Sequence, residues 1–226
     1  MSIIETVEKE INGNPEGAII WLHGLGADGH DFESIIPALD LPRNMRIRFV
    51  FPHAPFRSIT INNGVKMRAW YDVLSLDRSE PQDEHGIRES AEILNLLIER
   101  ERERGIDYNR IVVAGFSQGG AIAIHAALRF HHKLAGLLAL STWLPLDGAI
   151  EEEVTLNNKS QSRDLPIFLA HGSFDPILPV NLSHESRNIL HKLNYKVDWH
   201  EYPIAHSVSE NEIKDISFWL QHIFLK

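Results

Sequence analysis

The chain has 226 residues, 43% of them hydrophobic, which suits one domain with a substantial core rather than a disordered polymer. Asp and Glu outnumber Lys and Arg by 31 to 22, a formal charge of −9, so the basic stripe that a nucleic-acid partner needs is missing. With no cysteine, disulfides, thiolate zinc sites and a cysteine nucleophile are all excluded.

The N-terminus, Met-Ser-Ile-Ile-Glu-Thr-Val-Glu-Lys-Glu, carries acids where a signal peptide needs a basic region followed by an apolar one, so an unexported, cytoplasmic protein is expected. No apolar run approaches the roughly 18 to 20 residues of a membrane span, so no integral membrane association is expected either. Strands are predicted at 3–10, 17–23, 45–51, 111–114, 134–141, 166–171 and 196–202. The first alternates and reads as an edge, whereas the middle ones are continuously apolar, as in a sheet covered on both faces. Helices are predicted at 31–39, 86–104, 118–130, 180–193 and 209–224. The Glu-Arg-Glu-Arg-Glu-Arg run at 99–104 reads as a solvated helix end with i,i+4 pairing. Strand, loop and helix alternate without repeat or linker, giving a single α/β domain over 1–226 with a mostly parallel sheet of about seven strands. Residues 53–84 form a long connection with an aromatic pair, Trp70 and Tyr71. Residues 147–164 are a polar stretch ending in an exposed excursion.

The stretch that organises the rest is Gly115-Phe116-Ser117-Gln118-Gly119. It lies between a β-branched apolar strand and an apolar helix, the context in which G-x-S-x-G forms a sharp strand-to-helix turn that lifts a serine above the sheet. The following helix points its N-terminus, and the Gln118 amide, at any negative charge formed there. A serine nucleophile needs a histidine base and a carboxylate to orient it, following in chain order on loops at the C-terminal ends of later strands. The strand at 166–171 leads to Asp175-Pro176, and the one at 196–202 leads to His206. His200 is a rival, but it falls inside its strand, and Asp198 and Asp164 are weaker acids for similar reasons.

A second oxyanion donor is expected from the glycine-rich loop after an early strand, and the Leu25 amide is assigned to pair with that of Gln118. The same loop matches G-x-G-x-x-G at Gly24, Gly26 and Gly29, so an NAD-dependent oxidoreductase is a rival class. That class expects an acid at the end of the second strand, where Phe51-Pro52-His53-Ala54 offers none. A metal site from His23, His30 and His53 has no recognisable ligand spacing, and neither metal nor cofactor is expected. A non-catalytic binding protein on the same fold is the remaining alternative.

These residues resemble the small carboxylesterase, lysophospholipase and acyl-protein thioesterase family of the α/β-hydrolase fold. The resemblance spans nearly the whole chain. It rests on His23-Gly-Leu-Gly-Ala-Asp-Gly-His30, Phe51-Pro-His-Ala-Pro55, Met67-Arg-Ala-Trp-Tyr-Asp72, Gly115-Phe-Ser-Gln-Gly-Gly120, Ser141-Thr-Trp-Leu-Pro145, His171-Gly-Ser-Phe-Asp175 and His206-Ser-Val208. It implies Ser117, Asp175 and His206 as a catalytic triad, with Leu25 and Gln118 as the oxyanion hole. It also implies that Trp143 and the segment around Trp70 border the acyl site. Ala205 departs from the glycine usual before the histidine, and a positive φ there would strain the loop. With no insertion large enough for a cap domain, the expected site is an open groove for an acyl ester or thioester, borne by a lipid or an acylated protein, with small aryl and alkyl esters accepted in vitro. A homodimer is left open.

Overall fold

The computed structural model describes residues 4–75, 80–157 and 164–225, the last three residues of the second stretch by backbone only. Its centre is a seven-stranded sheet in the order β1-β3-β2-β6-β7-β8-β9. The strands are β1 (Thr6–Ile11), β2 (Gly17–Leu22), β3 (Ile47–Pro52), β6 (Ile111–Phe116), β7 (Gly136–Leu140), β8 (Ile167–Gly172) and β9 (Val197–Tyr202). Only β1 runs antiparallel, against β3, and every other neighbour pairs in parallel. This is the architecture of the α/β-hydrolase fold.

Alternation along each strand divides the core in two, because successive side chains leave opposite faces of the sheet. Ala18, Ile20 and Leu22 of β2 and Val113 of β6 pack with Ile87, Leu94 and Ile98 of α2 (Glu84–Glu103) and with the apolar side of α3 (Gln118–Arg129). Ile19, Trp21, Phe49 and Val112 face the other way, onto Ile35 of α1 (Ile35–Ala38) and Ile216, Leu220 and Phe224 of α6 (Glu210–Phe224). The continuous apolar runs thus mark strands buried on both sides.

Four expectations need correction. The helix predicted at 31–39 shrinks to α1. Before it, Asp31, Glu33 and Ile35 make i→i+3 turns instead, and Pro37 has no N–H to extend a longer ladder. The connection at 53–84 contains a hairpin, β4 (Phe56–Ile59) with β5 (Val65–Arg68), turned at Asn63 (φ 53°) and Gly64 (φ 77°). The polar stretch at 147–164 contains α4 (Ile150–Asn157), and its expected excursion lies mostly outside the described residues. The charge run at the end of α2 is not wholly solvated either: Glu101 is fully buried and accepts from Arg48 Nη1 of β3 at 2.7 Å and Arg104 Nη1 at 2.9 Å.

Candidate active site

At the C-terminal end of the central strand β6, Ser117 turns the chain into α3. Its backbone adopts φ 54°, ψ −121°, a conformation unfavourable for a residue with a Cβ. Surrounding contacts hold it there. The Ser117 amide donates to Leu140 O at 2.9 Å, and Thr142 Oγ1 donates to Ser117 O at 2.7 Å. Glycine is needed at 119, because a Cβ there would stand 2.5 Å from the carbonyl oxygens of both Leu22 and His23. Turn and neighbouring strand therefore touch backbone to backbone.

His206 lies between the two partners chosen from chain order. Its Nε2 is 2.9 Å from Ser117 Oγ, and its Nδ1 is 2.6 Å from Asp175 Oδ2. The His206 ring also rests 4.7 Å from that of Phe116, itself in contact with Phe32, which stacks on Trp21. Asp175 has its second oxygen engaged by the amides of Ile177 at 2.8 Å and Leu178 at 2.9 Å, which fixes the carboxylate against rotation. Its side chain has no exposed surface, whereas that of His206 is 17% exposed and can meet a substrate. The rival His200 stacks on Phe168 at 4.5 Å and pairs with Asp198 at 3.0 Å, on the sheet face its strand position dictates.

Ala205 is not among the residues with positive φ, so the strain anticipated there does not arise. The loop is instead seated on Gly172, where a Cβ would meet the carbonyls of Ile204 and Ala205 at 2.4 and 2.5 Å.

Gln118 opens α3, so its amide has no acceptor within the helix and faces the site. Its side chain is buried and ties down the long connection: Oε1 accepts from Trp70 N at 2.8 Å, and Nε2 donates to Tyr71 O at 2.7 Å. Leu25 lies in the loop after β2, lining the same cavity as Ser117, Gln118 and His206. That loop is pinned on both sides. Gly26 N donates to Arg68 O at 2.9 Å, and the buried His23 accepts from Ala54 N at Nε2 (3.0 Å) while facing Gly24 O at 2.7 Å through Nδ1. This pattern requires the hydrogen on Nδ1 of a neutral ring. Burial, partly opposed by the Gly24 carbonyl, pushes its pKa down to about 4, which agrees with that tautomer.

The glycine loop is thus held by the long connection, and α1 begins only at Ile35, so no helix N-terminus follows Gly29 directly to receive a pyrophosphate. Nothing supports the oxidoreductase reading. The His30 and His53 rings lie 5.5 Å apart, but His53 Nδ1 accepts from Gly29 N at 3.1 Å, and His30 pairs with Glu33 at 3.0 Å. Among the described residues no group of three or more His, Asp or Glu is placed to hold a metal.

Above the serine lies an open cavity of about 1020 Å³, walled by Ile61, Tyr71, Val73, Phe116, Trp143 and Ile177 among others. A second hollow of about 490 Å³ shares Tyr71, Val73, Trp143 and Leu178 with it and continues towards Leu74, Pro81 and Leu182. Trp143 borders both, but Trp70 borders neither. It is fully buried, its Nε1 donating to His23 O at 2.9 Å and its carbonyl accepting from Ser90 Oγ. Trp70 therefore braces the glycine-rich loop after β2 from behind, and its neighbours Tyr71 and Val73 take the wall positions expected of it. The sequence pattern around these aromatics is too irregular to say which of two adjacent rings faces inward.

The model of the Phospholipase/Carboxylesterase family matches residues 4–224. The chain belongs to that family. It is 35% identical over 221 residues to acyl-protein thioesterase 1 of Cryptococcus neoformans, covering 89% of this chain and 90% of that one. To acyl-protein thioesterase 1 of Yarrowia lipolytica it is 36% identical over 208 residues, covering 90% of each. The crystal structure of Zea mays acyl-protein thioesterase 2 superposes with a TM-score of 0.87 at 26% identity, covering 98% of this chain and 99% of that one. This member is a serine hydrolase of esters and thioesters. Among the described residues no helix is long and apolar enough to cross a membrane.

Proposed function

We propose that Ser117, His206 and Asp175 are the catalytic triad, that the amides of Leu25 and Gln118 form the oxyanion hole, and that the enzyme removes acyl chains from proteins by thioester cleavage. The observation carrying this reading is His206 bridging Ser117 Oγ and Asp175 Oδ2 at the floor of a largely apolar cavity. Ser117 Oγ attacks the acyl carbonyl carbon as its proton passes to His206 Nε2, and the carbonyl oxygen becomes an oxyanion held by the two amides. When the tetrahedral intermediate collapses, the bond to the leaving sulfur or oxygen breaks and His206 returns the proton to it. Water then repeats the sequence on the acyl-enzyme, its proton going to His206 and then to Ser117 Oγ, releasing the carboxylic acid.

The openness of the site favours a bulky carrier, because among the described residues no cap covers Ser117 and only the acyl part needs the apolar walls. The names of its relatives point to the same class. Labelling with a fluorophosphonate, followed by intact mass, is expected to modify the wild type once and Ser117→Ala not at all, with a loss of about 10⁴ to 10⁶ in kcat for the variant. Hydrolase activity surviving in Ser117→Ala would overturn the assignment. An S-acylated peptide turned over faster than a lysophospholipid of the same chain length is the expected preference, and the reverse order would make the enzyme a lysophospholipase.

A further inference from the structure

Below the three residues assigned to catalysis lies a second, fully buried histidine. His171, the penultimate residue of β8, hydrogen-bonds Leu178 O through Nε2 at 2.7 Å, and the same nitrogen lies 3.3 Å from Asp175 Oδ2. Since a carbonyl and a carboxylate can only accept, that nitrogen carries the hydrogen. Asp175 Oδ2 is the same oxygen that meets His206 at 2.6 Å, so one carboxylate oxygen receives two imidazole rings. The other face of His171 is tied just as closely. Its Nδ1 lies 2.6 Å from Ser183 Oγ, and that hydroxyl, buried on α5 (Asn181–Lys192), also contacts Thr142 O. Thr142 in turn donates to Ser117 O at 2.7 Å. The chain of contacts closes on itself, from Ser117 through His206, Asp175, His171, Ser183 and Thr142 back to Ser117.

Resting on the triad reading above, we propose that His171 is a positioning residue for the hydrolysis: its Nε2–H, hydrogen-bonded to Leu178 O, lies against the Asp175 oxygen that receives His206, and through Ser183 it locks the acid loop to the segment beneath the nucleophile. The charge on that oxygen is shared between the two rings. His206 consequently receives less of it than in an isolated pair. The position also guards geometry, since a buried hydrogen-bonded ring resists movement of Asp175 that the loop alone would permit.

The groups acting on His171 come from several elements. Asp175 on the loop after β8 and Glu201 on β9 favour its charged form, while His206 on the loop after β9 opposes it. Glu201 is itself engaged by Ser173 Oγ at 2.8 Å and His184 Nε2 of α5 at 3.1 Å. Burial outweighs these and holds the ring's pKa below the ordinary imidazole value.

The test is the pH profile of kcat/KM on a short-chain p-nitrophenyl ester, with fluorophosphonate labelling rates alongside, for the wild type, His171→Gln and Ser183→Ala. In His171→Gln the acid limb is expected to move up by about half a pH unit or more as the charge on Asp175 is returned to His206. Its kcat should fall roughly tenfold or more with KM little changed, since only the alignment of the reacting groups is loosened. Ser183→Ala, which keeps the ring but loses its tether, should shift the limb in the same direction by less. If His171→Gln is recovered unfolded, Ser183→Ala decides alone. Acid limbs coincident with the wild type in the folded variants, with only the melting temperature lowered, would reduce His171 to a packing residue and overturn the proposal. A wild type that neither labels nor turns over ester would instead overturn the triad reading itself.

Discussion

Ser117 keeps a positive φ in a turn packed backbone to backbone: a Cβ at Gly115 would stand 2.3 Å from Gly119 O, and the turn meets the neighbouring strand at Gly119. Adding one methyl there puts carbon 2.5 Å from Leu22 O and His23 O, and neither atom belongs to a flexible side chain that could swing away. His23 is followed by the loop whose Leu25 amide we assign to the oxyanion, so any relief of the clash displaces that donor. Gly119→Ala is therefore expected to lower kcat by about 10² or more, in the range seen when one oxyanion donor is lost, with a smaller effect on KM. Matched kcat and KM measurements on one ester check this, and an unchanged kcat in a folded variant would show that the elbow can yield without moving Leu25. At this scale much of the candidate site was legible in the sequence. The glycine spacing around Ser117 sits between an apolar strand and an apolar helix, and Asp175 and His206 each follow a recognisable strand end. Trp70 and His171 were not legible, for a shared reason. Both are defined by contacts made in space, Trp70 by the carbonyl of His23, 47 residues away, and His171 by the carboxylate of Asp175, four residues on but across a turn whose shape the sequence pattern does not announce.

Among the elements, the long connection between β3 and α2 carries the substrate wall on surprisingly little of its own packing. Its hairpin is mostly exposed, Phe56 at 59% and Val65 at 55%, which is why the alternating pattern that announces a strand is absent. Polar anchors replace a core. Asp72 accepts from Thr60 N at 2.7 Å and Thr60 Oγ1 at 2.5 Å, while its own amide donates to Asp83 Oδ2 at 2.8 Å. Asp83 is also the N-cap of α2, accepting from Gly86 N at 2.9 Å. One carboxylate thus fastens the start of a helix to the strip holding Tyr71 and Val73. Asp83→Ala should cost about 1 to 2 kcal/mol through the lost cap. Because the strip is released with it, KM for a long-chain acyl ester is expected to rise more than KM for an acetyl ester. Equal changes for both chain lengths would mean that the wall is held by Gln118 alone. The same competition between local and tertiary forces explains α1: apolar spacing suggested a helix from 31, but Pro37 and the turns before it leave only Ile35–Ala38.

Across the whole molecule, buried titratable groups set how stability varies with pH, and they do not all act in one direction. Burial pushes the pKa of His23 down to about 4 and that of His125 to about 3, from an ordinary 6.5. Below pH 6.5 the unfolded chain takes up protons at both positions that the folded chain refuses, so their contribution is complete above 6.5 and is lost as the pH falls towards 4 and 3. Glu212 behaves oppositely. It is 1% exposed on the first turn of α6, where Ser209 N donates to Oε2 at 3.3 Å while Oε1 has no protein partner, and burial, partly opposed by that backbone donor, raises its pKa from 4.5 to about 7. Between 4.5 and 7 the folded chain keeps a proton the unfolded chain has released. Its contribution is therefore complete below pH 4.5 and lost as the pH rises through 7. Near pH 5 to 6 the glutamate offsets part of the histidines' loss, and at pH 8 it leaves an anion buried beside Asp215. Glu212→Gln retains an oxygen for the Ser209 amide and removes that charge, with a gain of up to about 3 kcal/mol at pH 8. For a chain of this length each kcal/mol raises the melting temperature by roughly 2 to 4 °C. The variant should melt several degrees above the wild type at pH 8 and level with it at pH 5, where Glu212 is already protonated. A gain of the same size at both pH values would trace to packing instead, because only the charged form distinguishes the two conditions.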